Sequence, residues 1–143
     1  MKTRQAALCL TLAISYLISG CSGAGGADTQ SIEPEAGIYE LRTYTTHDGK
    51  LDELHSRFEN HTMALFEKHG MTNVSYWSPE NPERKDNTLI YLLSHKSREA
   101  AEQSWQGFLA DEEWQDVSEA SRSGGPIVQR MESIFMNETP YSP

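Results

Sequence analysis

Two cysteines, Cys9 and Cys21, are all that the 143 residues contain, and both fall within the first 21 positions. A domain built from the remainder has no thiol for a disulfide, a metal or a nucleophile, whatever the redox state of its compartment, so its stability must come from packing. Basic side chains are also few: 12 Lys and Arg stand against 21 Asp and Glu, a net charge of −9 with histidines neutral. Nucleic acid and anionic lipid both require clustered Lys and Arg, so this balance argues against either as a partner of the folded part. The acidity reads as a solubilising surface. The sequence contains no Gly-rich phosphate loop, no nucleophile elbow and no zinc-ligand spacing, which removes the usual routes to NTPase, hydrolase and zinc chemistry. The N-terminal apolar run, residues 6–18, is shorter than the ~20 residues that an α-helix needs to cross a bilayer.

That run has a different use. A basic start, MKTR, followed by AALCLTLAISYLI has the profile of a signal peptide spanning residues 1–21. Leu17-Ile18-Ser19-Gly20-Cys21 resembles the bacterial lipobox, which makes Cys21 the expected lipid anchor and mature N-terminus. Each buried acyl CH₂ contributes about 0.8 kcal/mol, so two or three chains on Cys21 would hold the protein durably on a membrane that it otherwise does not enter. Ser22 is not the aspartate of an inner-membrane retention signal, so the expected location is the periplasmic face of the outer membrane. Residues 22–36, SGAGGADTQSIEPEA, have the composition of a flexible tether reaching roughly 20 Å. Without Lys2 and Arg4 the mature chain keeps ten basic side chains against 21 acidic ones, a net charge of −11.

One folded domain, residues 37–143, follows. Its hydrophobic periods alternate. IYELRTYTT (38–46) is rich in aromatic and β-branched residues and predicts a strand. DGKLDELHSRFENHTMALFEKHG sets Leu51, Leu54, Phe58, Leu65 and Phe66 near one helical stripe, with Gly70 just past the end. NVSYWS (73–78) and TLIYLLSH (88–95) predict two more strands, joined by a polar segment with two prolines. Residues 97–122 are helical in pattern, with Ser97 as N-cap, and Asp111 before Glu112 and Glu113 predicts a break near Ala110. IVQRMESIFM (127–136) alternates as a fourth strand. The order β-α-β-β-α-β is the ferredoxin-like arrangement of the α+β class, with both helices on one face of an antiparallel sheet. LIYLL is apolar on both of its alternating faces, and a second copy of the chain is the simplest cover for the face without helices, giving a homodimer.

YELRTYTTHDGKL, HTMALFEKHGM leading into SYW, and FLADEEW resemble the NIPSNAP domain in order and separation, over essentially the whole of residues 37–140. The resemblance implies a dimeric α+β barrel, in which two ferredoxin-like sheets face each other, and kinship with small cofactor-free oxygenases and isomerases. It brings no settled catalytic set, and fold kinship alone does not supply a reaction.

The histidines are weighed by geometry. His61 and His69 would stand about 12 Å apart along a regular helix and about 80° around it, too far to share one metal, and His55 with His61 fails likewise. No metal and no cofactor is therefore expected. His69, in the last turn before Gly70, is placed to cap free carbonyls. His61 lies at the edge of the apolar stripe, where a pocket between helix and sheet could open; it is the candidate proton-transfer residue, against the plainer reading of a hydrogen-bonded boundary histidine. Trp77, Tyr91 and Trp105 are the candidate ligand-binding residues, because buried Trp and Tyr line apolar pockets with polar tips. If Leu41 faces the helices, Glu40 and Arg42 face the dimer barrel as an interface ion pair. Two functions remain open: a tethered domain that binds a small apolar molecule or serves as an interaction module, and a cofactor-independent monooxygenase or isomerase acting on an aromatic or enolisable substrate.

Overall fold

A computed structural model describes residues 37–143. The leader, the Cys21 anchor and the tether lie outside the described residues. The elements run β1 (Ile38–Thr46), α1 (Leu51–Arg57), a π-helical segment (Phe58–Thr62), α2 (Met63–Lys68), β2 (Thr72–Trp77), β3 (Thr88–His95), α3 (Arg98–Ala110), α4 (Glu112–Ser121) and β4 (Val128–Met136). The four strands pair antiparallel in the order β2-β3-β1-β4. This is the predicted ferredoxin-like fold of the α+β class.

Local signals account for most boundaries. The Ser97 hydroxyl accepts from the Ala100 amide at 3.1 Å and starts α3, a cap that contributes ~1 kcal/mol. At the predicted break, Asp111 is extended and its carboxylate accepts from the Glu113 amide, so the chain ends α3 and begins α4 at one residue. Gly70 has φ +78 and takes the left-handed conformation that lets the chain turn from α2 into β2.

The first helical run departs from regular geometry. Between Phe58 and Thr62 the Met63 amide donates to the Phe58 carbonyl, five residues back, and the Thr62 hydroxyl donates to the Arg57 carbonyl at 3.2 Å. Wide turns of this kind are often found at functional sites. They also stack residues five apart, which brings both Arg57 and Thr62 into the interior. The core under the helices consists of Leu54, Phe58, Leu65 and Phe66 from this run, Phe108 from α3, and Tyr44, Leu89, Tyr91 and Leu93 from the sheet.

The sheet corrects one expectation. On β1 it is Glu40, Arg42 and Tyr44 that face the helices, while Leu41 faces away, beside Leu92 on β3 and Ile134 on β4. Glu40 and Arg42 therefore lie beneath the helices of their own chain and not on the open face. The reason is that Glu40 is fully satisfied there, and a buried carboxylate is tolerated where donors surround it.

Candidate functional site

Glu40 is 1% exposed and is the hub of a polar cluster inside the domain. Its Oε1 accepts from Arg42 Nη1 and from the Ser133 hydroxyl, each at 2.6 Å. Its Oε2 accepts from Trp105 Nε1 at 2.7 Å and from His95 Nε2 at 3.1 Å. Burial alone would raise this carboxyl, but the hydrogen bonds from His95, Ser133 and Trp105 and the charge of Arg42 hold it down at about 2. The Arg42 guanidinium in turn lies 4.2 Å from the Trp105 ring centroid. Four elements are thus tied to one carboxylate: β1, β3, α3 and β4.

This cluster forms one end of a cavity of about 530 Å³ between helices and sheet. Six aromatic rings line it: Tyr44, Phe58, Phe66, Trp105, Phe108 and Trp114. The break at Asp111 is what brings the last two together, with Phe108 and Trp114 ring centroids 4.4 Å apart. That corner is pinned from the other side, because His69 Nε2 donates to Asp111 Oδ2 at 2.6 Å and Lys68 Nζ lies 2.8 Å from the same oxygen. Three arginines also reach the cavity: Arg42 from β1, Arg57 from the end of α1 and Arg122 just after α4. An apolar enclosure of this size with a few convergent polar groups is the usual form of a small-molecule site.

The anticipated residues are distributed unevenly. Trp105 lines the cavity. Tyr91 is completely buried in the aromatic core, stacked on Tyr76 with ring centroids 5.5 Å apart, and does not line the cavity. Trp77 is 46% exposed at the end of edge strand β2 and borders only a recess of about 200 Å³. His61 is exposed and lines a different, open groove between α1 and α4, beside Asp52, Glu53 and Asp116. The expected opening between helix and sheet at His61 is corrected by the π segment, which turns Arg57 and Thr62 inward and leaves His61 outside. His69 ends its helix as anticipated, but its ring bonds Asp111 and not free carbonyls. Among the described residues no cluster of His, Cys, Asp and Glu could hold a metal.

Sequence reasoning missed Arg57, Arg122, His95 and Ser133. Arg57 had a signal: it lies three residues after Leu54, inside the apolar stripe, where a cation is out of pattern.

The fold and cavity can be set beside known proteins. A family model described as NIPSNAP matches residues 39–143. No curated protein matches the chain. Among solved structures, a NIPSNAP-like domain protein from Burkholderia xenovorans is 20% identical, with 76% of this chain and 90% of that one covered at a TM-score of 0.65. A NIPSNAP family protein with unknown function from Agrobacterium tumefaciens is 18% identical, covering 76% and 94% at 0.65. A monooxygenase from the gene ActVA-Orf6 of Streptomyces coelicolor, in complex with the ligand Nanaomycin D, is 13% identical, covering 78% and 95% at 0.55.

Proposed function

Starting from the fact that this chain belongs to the NIPSNAP family, we propose that it is a binding domain for a small, largely apolar molecule, held in the cavity between helices and sheet. The observation that carries this reading is the aromatic cavity of about 530 Å³, which falls within the ~300–1,000 Å³ of ordinary ligand sites. Native mass spectrometry of purified protein, followed by solvent extraction, tests it. The expected result is a bound small molecule that is lost when Trp114 at the cavity wall is replaced by a charged residue. Protein that carries nothing, and that no apolar aromatic compound protects from unfolding, would leave the alternative of an interaction module.

A second reading is a cofactor-independent monooxygenase or isomerase acting on an aromatic or enolisable substrate. Its support is the water-shielding aromatic cavity, on a fold shared with the Streptomyces coelicolor monooxygenase. Substrate would then sit away from His61, so proton transfer would fall to a group inside the cavity. Oxygen uptake on adding enolisable aromatic compounds would separate this reading from simple binding.

The assembly we propose is a homodimer through the open sheet face. Ile134 is 60% exposed there, on the same side as Leu41, Ile90 and Leu92, and an apolar sheet face of this kind calls for a cover. The expected result by sedimentation is a dimer at micromolar concentration, converted to monomer by Ile134→Asp. A wild-type monomer at that concentration would overturn the proposal. Anchoring through Cys21 belongs to the same picture, and Cys21→Ser is the variant that releases the protein from the membrane fraction.

A further inference from the structure

Arg57 is 9% exposed, yet it makes no ion pair among the described residues. Its one side-chain hydrogen bond runs from Nη1 to the Ser121 hydroxyl at 3.3 Å, and its Nε is buried without a partner. Burial disfavours its charge, the neighbouring Tyr44 and Tyr91 offset this in part, and Arg122 disfavours the charge further. An unpaired buried cation is costly to a fold and is retained only where something compensates it. The compensation is not a protein carboxylate. Asp52, Glu53 and Asp116 border the outer groove that Arg57 also touches, but none of them pairs with it. The inner cavity has no Asp or Glu in its lining and contains three guanidiniums, on a chain whose overall charge is −9. Of the three, Arg42 is neutralised by Glu40. Arg122 bonds only the Ser118 carbonyl, through Nε at 3.0 Å, and like Arg57 has no acidic partner.

The rings fix the rest of the ligand. Trp114 lies under the Arg57 guanidinium, with Cζ 5.3 Å from the ring centroid, so the cation and the aromatic wall meet at one point of the cavity. Resting on the reading of this cavity as a ligand site, we infer that its ligand is an aromatic carboxylate, whose ring lies among Phe66, Phe108 and Trp114 and whose anionic group is taken by Arg57 with Arg122. Planar guanidinium matches planar carboxylate through two parallel hydrogen bonds, and the acid-free wall admits no competing pair.

Titration with 2-naphthoate and its neutral isostere 2-naphthamide tests this, with binding followed by calorimetry. The expected result is at least a tenfold tighter Kd for the carboxylate. Arg57→Gln should remove that advantage and leave naphthamide unchanged, and Arg122→Gln, at an exposed position, should weaken naphthoate severalfold without touching the core. The free Arg57→Gln protein should unfold at the same urea concentration as the parent or higher, because the lost charge has no partner. Equal affinities for the two probes would overturn the assignment of an anionic ligand while leaving the cavity as an apolar site. Failure of both to bind would overturn the cavity reading and this inference with it. A sharply lowered urea midpoint for Arg57→Gln would mean that Arg57 serves the fold, and would also overturn it.

Discussion

Glu40→Ala is expected to cost about 3–5 kcal/mol of folding stability, the range for removing one partner of a buried ion pair. The carboxylate is 1% exposed and receives four donors, from Arg42, His95, Trp105 and Ser133. Truncation to a methyl group strands all four and opens a void, so the penalty combines lost hydrogen bonds with an uncompensated guanidinium. Urea denaturation at neutral pH measures it. Glu40→Gln keeps the volume but not the charge and should cost less than alanine.

The same carboxylate makes stability depend on pH in a definite direction. Its folded value of about 2 lies below the ordinary 4.5, so the folded state holds the proton less tightly than the unfolded chain does. The stabilisation is fully present above about pH 4.5 and is lost as pH falls from there towards 2. At 1.36 kcal/mol per unit the loss is of order 3 kcal/mol. Other carboxyls also titrate in that window, Asp111 among them, held below the ordinary range by Lys68 and His69. The informative quantity is therefore the difference between the wild type and Glu40→Gln. If both proteins lose stability equally between pH 4.5 and 2, Glu40 is not the group responsible.

Phe66→Ala should be comparably damaging, about 3–5 kcal/mol, as for other buried Phe truncations. Phe66 is 1% exposed, and its ring centroid lies 5.0 Å from Phe108, 5.3 Å from Trp105 and 6.0 Å from both Phe58 and Tyr91. It also forms part of the cavity wall, so its removal joins new empty space to the ligand cavity and not to solvent. Two readouts should move together: a lower urea midpoint, and improved tolerance of aromatic ligands one ring larger than naphthalene. A fall in stability of under 1 kcal/mol would show that the neighbouring rings collapse into the gap, and that this core is less rigid than its edge-to-face packing implies.

Much of the fold was legible because its signals are local. The strands at 38–46 and 88–95 announce themselves by β-branched and aromatic runs, the cap at Ser97 by a hydroxyl before a helical period, and the break at Asp111 by an acid-rich second start. The side of β1 that meets the helices was not legible. Alternation establishes that Glu40, Arg42 and Tyr44 share a face, but placing the apolar Leu41 inward assumes that no charge is internally satisfied, and the four donors to Glu40 come from three other elements distant in sequence. The candidate site was harder for a related reason. Stepping a regular helix by ~100° per residue sets His61 near the pocket edge and hides Arg57, and only the wide turn at Phe58–Thr62 reverses the two. Of the residues anticipated from sequence for ligand binding, Trp105 lines the cavity, Tyr91 belongs to the core and Trp77 lies at an edge.

The wide turn has a consequence for how the gene can change length. Deleting one residue between Phe58 and Thr62 would leave an unbroken α-helix, so nothing local forbids it. Every side chain beyond the deletion would nevertheless rotate by about 100° relative to α1, carrying Leu65 and Phe66 off the sheet and turning Glu67 or Lys68 towards it. The segment works as a phase setter: it fixes the angular offset between the half of the helix that delivers Arg57 and the half that delivers Phe66. Substitutions on the outer face at Glu59, Asn60 and His61 should be tolerated freely, while a change of one in the count should not.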